Sequence, residues 1–490
     1  TGVYTDNQPD FTWLQPYEEK TFTQYFMPYR ELGVVKNASS DLLMNIEPEG
    51  NVSRLKIFAT SAQKDLHIVV MKGEKQVLDI IRDITPETIL EEWVPVDTLT
   101  GVRVSICNSK GKLLLSWEPE PNEIKEVPEP AKAALDPKDI RTTEQLYLTG
   151  LHLEQYRHAT YSATDYYEEA LSRDPDDVRN NNAMGLWLIR KGQFAKAEPY
   201  LRRAVKTLTE KNPNPYDGEP LYNLGLSLKY QGKTDEAYDC FYKACWNAAW
   251  QDAGYYSLAQ LSASKGNWEE ALYEIDKSLL RNWHNLRGRH LKAVVLRHLG
   301  RVDEALALIR ESLAIDRFNF GCSFEEYLLT GEKAVLDDLL VRMRSEGHNY
   351  EELSLDYASA GCWEEALKVV EVAFEVVVSE RTLLYYYKSW FLLSLDRLKE
   401  AEMAICVAEH QPADCCFPNT LEAIMALQAV IRFADVAPKA HYYLGNLWYD
   451  KRQYPEAVAE WEKSVEQDDT FPTVLRNLSL AYFNKLNKQQ

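Results

Sequence analysis

The sequence predicts a mainly α-helical chain with an N-terminal all-β part, arranged as a β-sandwich followed by a right-handed solenoid of helix hairpins. The first observation is a repeat, because the turn glycines Gly232, Gly266 and Gly300 follow one another at intervals of 34 residues. The second is that residues 36–120 consist of short alternating runs of β-branched and aromatic residues. The third is a Pro- and Glu-rich stretch, residues 121–140, which reads as a semi-rigid linker between the two patterns.

The repeat also carries small residues at fixed offsets from each turn. Ala237, Ala271 and Ala305 keep the 34-residue step of the turn glycines. Small side chains are needed where the two helices of a hairpin touch, and glycine ends the first helix in a left-handed conformation. A 34-residue period of this kind is the tetratricopeptide signature, and the chain resembles that family. The resemblance implies a right-handed tetratricopeptide-type α-solenoid with a concave groove that binds proteins or peptides.

The solenoid is predicted over residues 141–490, as about eight hairpins plus a terminal helix. The register breaks after Asp316, where residues 318–331 carry glycines and aromatics and residues 332–345 form a separate amphipathic helix. A second irregular stretch, residues 411–436, interrupts the array before its last hairpin. Inserted residues in solenoids map to loops, often beside the binding face.

Residues 36–120 contain seven strand candidates separated by turn signals. Seven short strands over this length predict an immunoglobulin- or fibronectin-like β-sandwich, although the Cys…Trp…Cys spacing of antibody domains is absent. Modules of this kind act as spacers or docking surfaces, and no chemistry is predicted within it.

Residues 1–35 read as an extended, aromatic-rich segment, the tail of a preceding β domain. The words "TGVYTDNQPDFTWLQPYEEKTFTQYFMPY" resemble the end of a galactose-mutarotase-like β-supersandwich. That domain comes first in large bacterial proteins of unassigned function that carry tetratricopeptide repeats after it. The resemblance implies that the chain is the C-terminal half of such a protein, with a carbohydrate-associated domain before Thr1. Asp6, Asp10, Trp13 and Gln15 mix carboxylates with an aromatic, as sugar sites do, or are structural turn residues.

Composition excludes several function classes. The net charge of −20 and the pI near 5.0 argue against general binding of nucleic acids or anionic membranes. The eight cysteines form no CxxC pair, which favours a reducing, cytoplasmic compartment. The chain contains no P-loop, GxSxG, HExxH or GxGxxG motif, so no catalytic residue, cofactor or metal is predicted.

Two groups of residues are candidates for the concave groove. The first is an aromatic stripe at the fifth position of successive first helices, which can hold an extended peptide or stack on sugar rings. Tyrosine is also favoured at this place for structural reasons, and that alternative stays open. The stripe consists of Tyr147, Tyr222, Tyr256, Tyr386 and Tyr442, with Asn182 and His290 at the equivalent positions of two other hairpins.

The second group is a basic patch formed by Arg287, His290, Arg297 and His298, which the repeat register turns toward the groove together. Such a patch can clamp a carboxylate, a phosphate or an acidic peptide, because arginine binds these groups bidentately. The alternative is salt bridging to Asp and Glu of adjacent repeats. The predicted function is a non-catalytic scaffold for a protein or peptide, and the alternative is the accessory half of a carbohydrate-active or carbohydrate-binding protein.

Overall fold

The computed structural model describes residues 19, 21–120, 133–156, 160–378, 381–414 and 416–487. Those residues divide into two compact units, with the division between Ala133 and Ala134. The predicted segment 1–35 and linker 121–140 lie partly outside the described ranges. Four sequence candidates lie wholly outside them: Asp6, Asp10, Trp13 and Gln15.

The first unit consists of eight antiparallel strands in two four-stranded sheets, ordered β1-β2-β3-β6 and β5-β4-β7-β8. The chain crosses between the sheets after β3, after β5 and after β6, as in a Greek-key sandwich. The strands are β1 Asn37–Ala38, β2 Leu42–Glu49, β3 Val52–Ala59, β4 Gln63–Lys72, β5 Lys75–Ile84, β6 Leu90–Val94, β7 Val102–Cys107 and β8 Leu113–Trp117.

Alternating side chains of the two sheets form the core of this unit. Leu55 and Ile57 of β3 are buried together with Ile68 of β4 and Val104 of β7. Buried residues alternate with more exposed ones along much of β3, β4 and β7, which is the pattern expected of a sandwich. The predicted β-sandwich is therefore confirmed.

The second unit is entirely helical apart from short turns. None of the described helices is both long and apolar enough to cross a membrane. The helices are α1 Thr143–Gln155, α2 Ala163–Arg173, α3 Val178–Arg190, α4 Phe194–Thr209, α5 Glu219–Tyr230, α6 Thr234–Ala244, α7 Gln251–Ser264, α8 Trp268–Arg281, α9 Leu286–His298, α10 Val302–Ile315, α11 Phe320–Thr330, α12 Lys333–Met343, α13 Gly347–Ser359, α14 Trp363–Val376, α15 Thr382–Ser394, α16 Leu398–His410, α17 Leu421–Phe433, α18 Pro438–Asp450, α19 Tyr454–Gln467 and α20 Pro472–Asn487.

These helices pack as consecutive antiparallel hairpins, and each hairpin contacts the next. Gly232, Gly266 and Gly300 have φ between +72° and +75° at the inter-helix turns, as the repeat predicts. Small residues lie at the helix contacts, where a Cβ added at Gly225 would stand 2.6 Å from the ring of Phe241. The predicted mainly α fold, a β-sandwich followed by a repeat solenoid, is confirmed.

Two stretches that the sequence marks as irregular have defined structures. Helices α11 and α12 pack together as a short hairpin, so the described helices form nine hairpins and not about eight. Helix α17 has no hairpin partner and packs between α15 and α18. Its hydrophobic residues are buried along several directions, which requires neighbours on more than one side.

Candidate functional site

The inner face of the helical array, formed by the first helices α3, α5, α7 and α9, is covered in its middle by later hairpins. Gln260 on α7 donates from Nε2 to Ser359 Oγ on α13 at 2.7 Å. Tyr230 on α5 donates from Oη to Glu422 Oε1 on α17 at 3.0 Å. The open groove expected from the repeat pattern is therefore partly closed by the protein itself.

Helix α17 connects the two ends of the array. Its Leu421 packs against the hydrophobic core of the first hairpins, and Leu427 belongs to the core of the later ones. Near it, Lys196 on α4 forms an ion pair with Glu456 on α19, with Nζ 2.7 Å from Oε1. Gly192 lies so close that an added Cβ would stand 2.4 Å from Ile424 Cδ1. The second hairpin, α3–α4, and the last hairpin, α18–α19, thus contact each other and α17.

Three tyrosines of the predicted stripe are half-buried on the inner face. The guanidinium of Arg179 lies 5.3 Å from the centre of the Tyr147 ring. The ring of Tyr222 stacks on Trp250 with centroids 4.8 Å apart. Burial raises the pKa of Tyr256, and the nearby carboxylate of Asp356 adds to that increase. These rings retain part of their surface for contact with a ligand.

The other two tyrosines do not line an open groove. Tyr386 is fully buried and donates from Oη to Glu409 Oε1 at 2.8 Å, and burial raises its pKa well above the ordinary value. Tyr442 is 7% exposed and packs edge-on against Tyr443 and Phe471. The prediction for this pair is wrong because helices α16 and α18 and the start of α20 cover the positions that the repeat register leaves open.

Asn182 and His290, at the same register position, are also buried. Asn182 donates to Glu219 Oε1 at 3.0 Å and accepts from Asn223 Nδ2 at 2.9 Å. Both amide ends are satisfied within the protein, so Asn182 serves packing of the first hairpins.

The basic patch is neutralised by carboxylates of other hairpins, the alternative that the sequence left open. The side chain of Arg287 is 60% exposed, and its Nη2 lies 2.7 Å from Glu352 Oε2. Its Nε lies 3.4 Å from Asp356 Oδ1. His290 is 3% exposed, and burial together with the charges of Arg297 and Arg287 lowers its pKa to about 3. The expectation that His290 offers a positive charge to a ligand is therefore wrong.

Arg297 and His298 belong to a buried ion-pair network. Arg297 donates from Nε to Glu325 Oε2 at 2.7 Å and from Nη2 to Glu365 Oε1 at 2.8 Å. His298 Nε2 lies 3.0 Å from the same Glu365 oxygen, and its ring stacks on Trp268. These hydrogen bonds and the Arg297 charge lower the pKa of Glu365 to about 2, although burial acts in the opposite direction. The guanidinium of Arg297 is thus paired with two carboxylates of the same chain and is not offered to a ligand.

The balance of charge on the inner face is negative. Glu352 and Glu422 both lie close enough to raise the pKa of Asp356 to about 6, after the larger effect of burial and against the charge of Arg287. Lys229 donates to Gln260 Oε1 at 2.6 Å, and burial lowers its pKa to about 8. Asp356, Glu352 and Glu422 thus all lie close enough to Arg287 to raise its pKa, and only Glu422 acts in this way on Lys229.

A cleft of about 160 Å³ opens beside Arg287, and we call it the α9–α13 cleft. Its volume corresponds to about five water molecules at ~30 Å³ each, which suits one side chain. Its walls come from α9, the start of α11 and α13. They are formed by Leu286, Arg287, His290, Phe318, Asn319, Phe320, Gly321, Asn349, Glu352, Leu353 and Asp356.

The raised pKa of Asp356 predicts a pH-dependent stability. Its ordinary value is 3.8, so between pH about 4 and 6 the folded chain binds a proton more readily than the unfolded chain. The resulting contribution to stability is present below pH about 4 and is lost as pH rises through about 6. The Asp356→Asn variant has no carboxyl group at this position and therefore does not lose stability in this way as pH rises. Its free energy of unfolding relative to that of the wild type should increase between pH 4 and 7, by at most about 3 kcal/mol.

Denaturant unfolding of both proteins at each pH measures that difference. Arg287, His290 and Tyr256 face Asp356 from the first helices and are unchanged by the substitution. Asp337→Asn, at an exposed position of α12, is the control and should differ from the wild type equally at all pH values. A constant difference for Asp356→Asn as well would contradict the prediction.

Three potential metal ligands meet near the network. His298, Cys362 and Glu365 place their donor atoms within 4.8 Å of one another, and their types suit Zn²⁺. The Arg297 guanidinium, however, donates to the same Glu365 oxygen as His298, so a cation there would meet a positive charge. Burial raises the pKa of the Cys362 thiol to about 12. We assign the three residues to the ion-pair network.

The described cysteines with shifted pKa values are buried or partly buried thiols. Burial raises the pKa to about 12 for Cys240, Cys245 and Cys322 as well. A thiol of this kind is protonated at neutral pH and is a poor nucleophile. Cys415, one of the vicinal pair, lies outside the described residues.

Sequence reasoning missed the carboxylates that define this site. Glu352 and Asp356 lie on α13 and Glu422 on α17, far along the chain from α9. The only available signal was the composition of α17, "LEAIMALQAVIRF", which is apolar around most of its circumference and so indicates burial between elements.

Family models match three parts of the chain. Residues 37–117 match the "YphG-like protein, second domain" family. Residues 218–245, which contain α5 and α6, and residues 419–471, which contain α17 to α19, match two tetratricopeptide repeat families. The matched repeats thus lie in the first and the last part of the array.

Several known proteins are similar to parts of this chain. The human protein "Tetratricopeptide repeat protein 7A" is 34% identical over 99 residues, which are 20% of this chain and 11% of that protein. Among solved structures, the MamA protein is 21% identical with a TM-score of 0.31, covering 35% of this chain and 91% of its own. A tetratricopeptide repeat protein from Parabacteroides merdae is 15% identical with a TM-score of 0.27, covering 64% and 98%.

Proposed function

We propose that this tetratricopeptide repeat protein is a non-catalytic scaffold that binds a protein partner on the inner face of its helical array. The observation that carries the proposal is the set of half-buried aromatic and charged side chains that α1, α5, α7 and α9 present on that face. Such amphipathic side chains combine a large contact area with hydrogen bonding, which is typical of protein interfaces.

The state of the cysteines supports a non-catalytic role. Burial keeps Cys240, Cys245, Cys322 and Cys362 protonated, so they do not supply thiolates. His290, which sequence analysis placed in the groove, has a pKa lowered to about 3 and is too weak a base to accept a proton at neutral pH.

Quantitative affinity capture tests the proposal, with Tyr147→Ser/Arg179→Ser as the inner-face variant. Tyr147 and Arg179 form a cation–π pair on the inner face, and removing it should reduce retention of the partner by at least about tenfold. The readout is the amount of each captured protein, compared by mass spectrometry between the wild type and the variant.

The matched control is Tyr273→Ser/Lys277→Ser, which removes a pair of the same kind from α8. Lys277 Nζ lies 5.2 Å from the centre of the Tyr273 ring, and Tyr273 is 59% exposed. This control should retain the partner, and thermal melting of both variants should show that they remain folded. Equal retention by both folded variants, or no partner for the wild type, would contradict the proposal.

A second candidate function rests on the β-sandwich. The family matched by residues 37–117 is described as a second domain, so proteins of that family carry another domain besides it. This favours one part of the alternative, that the chain is the accessory part of a larger protein, and we propose that its further domain is carbohydrate-associated. The intact mass of the natural gene product tests this alternative, because a mass equal to that of the chain, 56.5 kDa, would contradict it.

A further inference from the structure

We propose that the α9–α13 cleft receives a lysine or arginine side chain from an extended basic segment of the partner protein. The inference deepens the proposed scaffold function and rests on it. The sequence predicted a basic surface that binds an acidic ligand. We expect a basic ligand instead, because the arginine and the histidine in the cleft do not provide net positive charge.

The charges of the cleft favour a cation. Glu352 and Asp356 contribute two carboxylates, and Arg287 contributes a single guanidinium that lies between them, 2.7 Å from Glu352 Oε2 and 3.4 Å from Asp356 Oδ1. One negative charge is left uncompensated, and the whole chain carries a net charge of −20. A basic segment is attracted to such a protein at a distance and is matched by the cleft on contact.

A buried polar atom in the cleft wall is an independent sign of a ligand. His290 is 3% exposed, and its Nε2 atom makes no hydrogen bond within the described residues. Its other nitrogen, Nδ1, faces Asp356 Oδ2 at 4.0 Å, which favours the proton on Nδ1. The Nε2 atom is then an acceptor without a donor, which is costly to leave buried. Because Nε2 has almost no exposed surface, an ammonium or guanidinium group would supply that donor by displacing part of the cleft wall.

The size and the mouth of the cleft fit one basic side chain. The volume of about 160 Å³ is well below that of a site for a drug-sized ligand. Phe318 in its wall is 58% exposed, and the guanidinium of Arg317 lies 6.0 Å from the centre of its ring. A bound cation would use the part of the ring that Arg317 leaves free, since cation–π contacts stabilise bound lysine and arginine. The apolar stem of the side chain would contact Leu286 and Leu353, which also line the cleft.

Fluorescence anisotropy with defined probes tests this inference. The probes are labelled Gly/Ser peptides that differ only in one central residue, which is lysine, arginine, Nε-acetyl-lysine or glutamate. The wild type should bind the lysine and arginine probes at least about tenfold more tightly than the acetyl-lysine and glutamate probes. The variant Glu352→Gln/Asp356→Asn leaves Arg287 as the only charge in the cleft, so it should prefer the glutamate probe.

The control variant is Asp337→Asn/Glu402→Gln, which removes two exposed carboxylates from the outer helices α12 and α16. This control changes the net charge of the protein by the same amount as the cleft variant. It should still bind the lysine and arginine probes more tightly than the acetyl-lysine and glutamate probes. Equal loss of the lysine probe in both variants would overturn the inference, because the attraction would then be general and not local. Lack of binding of both cationic probes up to about 1 mM would overturn it as well.

Partner capture separates the failure of this inference from the failure of the scaffold function. If Tyr147→Ser/Arg179→Ser loses the captured partner while the cleft variant retains it fully, the scaffold function stands and the cleft inference is overturned. If the wild type captures no partner, the scaffold function itself fails. Loss of the partner in both variants, together with the reversed order of probes, supports both.

Discussion

Arg297→Met is expected to lower the free energy of unfolding by about 3–5 kcal/mol. Arg297 is the only cation that contacts Glu325 among the ion pairs of the described residues, and Glu325 is fully buried. Tyr357 also donates from Oη to Glu325 Oε1 at 2.7 Å, but a neutral hydroxyl does not balance the charge. Without the guanidinium, the folded state must hold an uncompensated buried carboxylate. Equilibrium unfolding in urea measures the loss.

Two further variants identify the cause of that loss. Arg301→Met removes an arginine that pairs with Glu304 in an exposed i, i+3 ion pair, and it should leave the urea midpoint unchanged. Arg297→Met/Glu325→Leu removes both partners of the buried pair and should recover most of the stability, since apolar side chains replace a buried ion pair well. An unchanged midpoint for Arg297→Met, or no recovery in the double variant, would contradict the explanation.

The same network shows why Arg297 is unsuitable for testing ligand binding. A charge reversal at this position would place a third carboxylate beside Glu325 and Glu365, so the protein would lose its partner by unfolding. Arg287, whose side chain is 60% exposed, is the arginine of the patch that can be changed without this effect.

Gly361→Ala is expected to destabilise the protein by about 2–5 kcal/mol. Gly361 has a φ of +73°, a conformation that costs a residue with a side chain about 1–2 kcal/mol. An added Cβ would also stand 2.7 Å from the Cα of Ser264 on α7. Because the obstacle is backbone and not the end of a flexible side chain, overpacking should add about 1–3 kcal/mol. Urea unfolding measures the sum.

Gly266→Ala is the matched control for this substitution. Gly266 has a φ of +74° at the equivalent turn of the α7–α8 hairpin, and an added Cβ there meets no atom within 4 Å. It should therefore show only the conformational cost. The difference between the two variants measures the contact between α7 and the turn that joins α13 to α14. Equal destabilisation would mean that this contact contributes nothing.

The regular part of the fold could be predicted because its determinants are local. Turn glycines with positive φ, alanines at the helix contacts and alternating strand residues each act on neighbours a few positions away, so a period in the sequence reports them directly. The positions of Tyr386 and Tyr442 could not be predicted in this way. They are buried by helices that follow a break in the period, and a broken period carries no information on where the next element packs.

The ion pairs of the inner face are a second feature that could not be predicted from the repeat. Arg287 and Arg297 follow the repeat register as expected, but their partners Glu352 and Glu365 both lie two hairpins further along the array. Each residue is an ordinary charged residue of a helix when it is considered alone. Only the three-dimensional path of the array brings them together, and so the arginines of the predicted basic patch are paired with carboxylates of the same chain.

The contact of the array with itself affects how the molecule unfolds. In an open solenoid each repeat touches only its neighbours, so the ends can fray while the middle stays intact. Here Tyr230 bonds to a residue 192 positions away, and Lys196 pairs with one 260 positions away. The second and third hairpins and the last part of the array therefore stabilise each other, and loss of either part exposes the other. Such long-range contacts slow folding. We expect them to join the repeats into one cooperative unit that melts in a single transition.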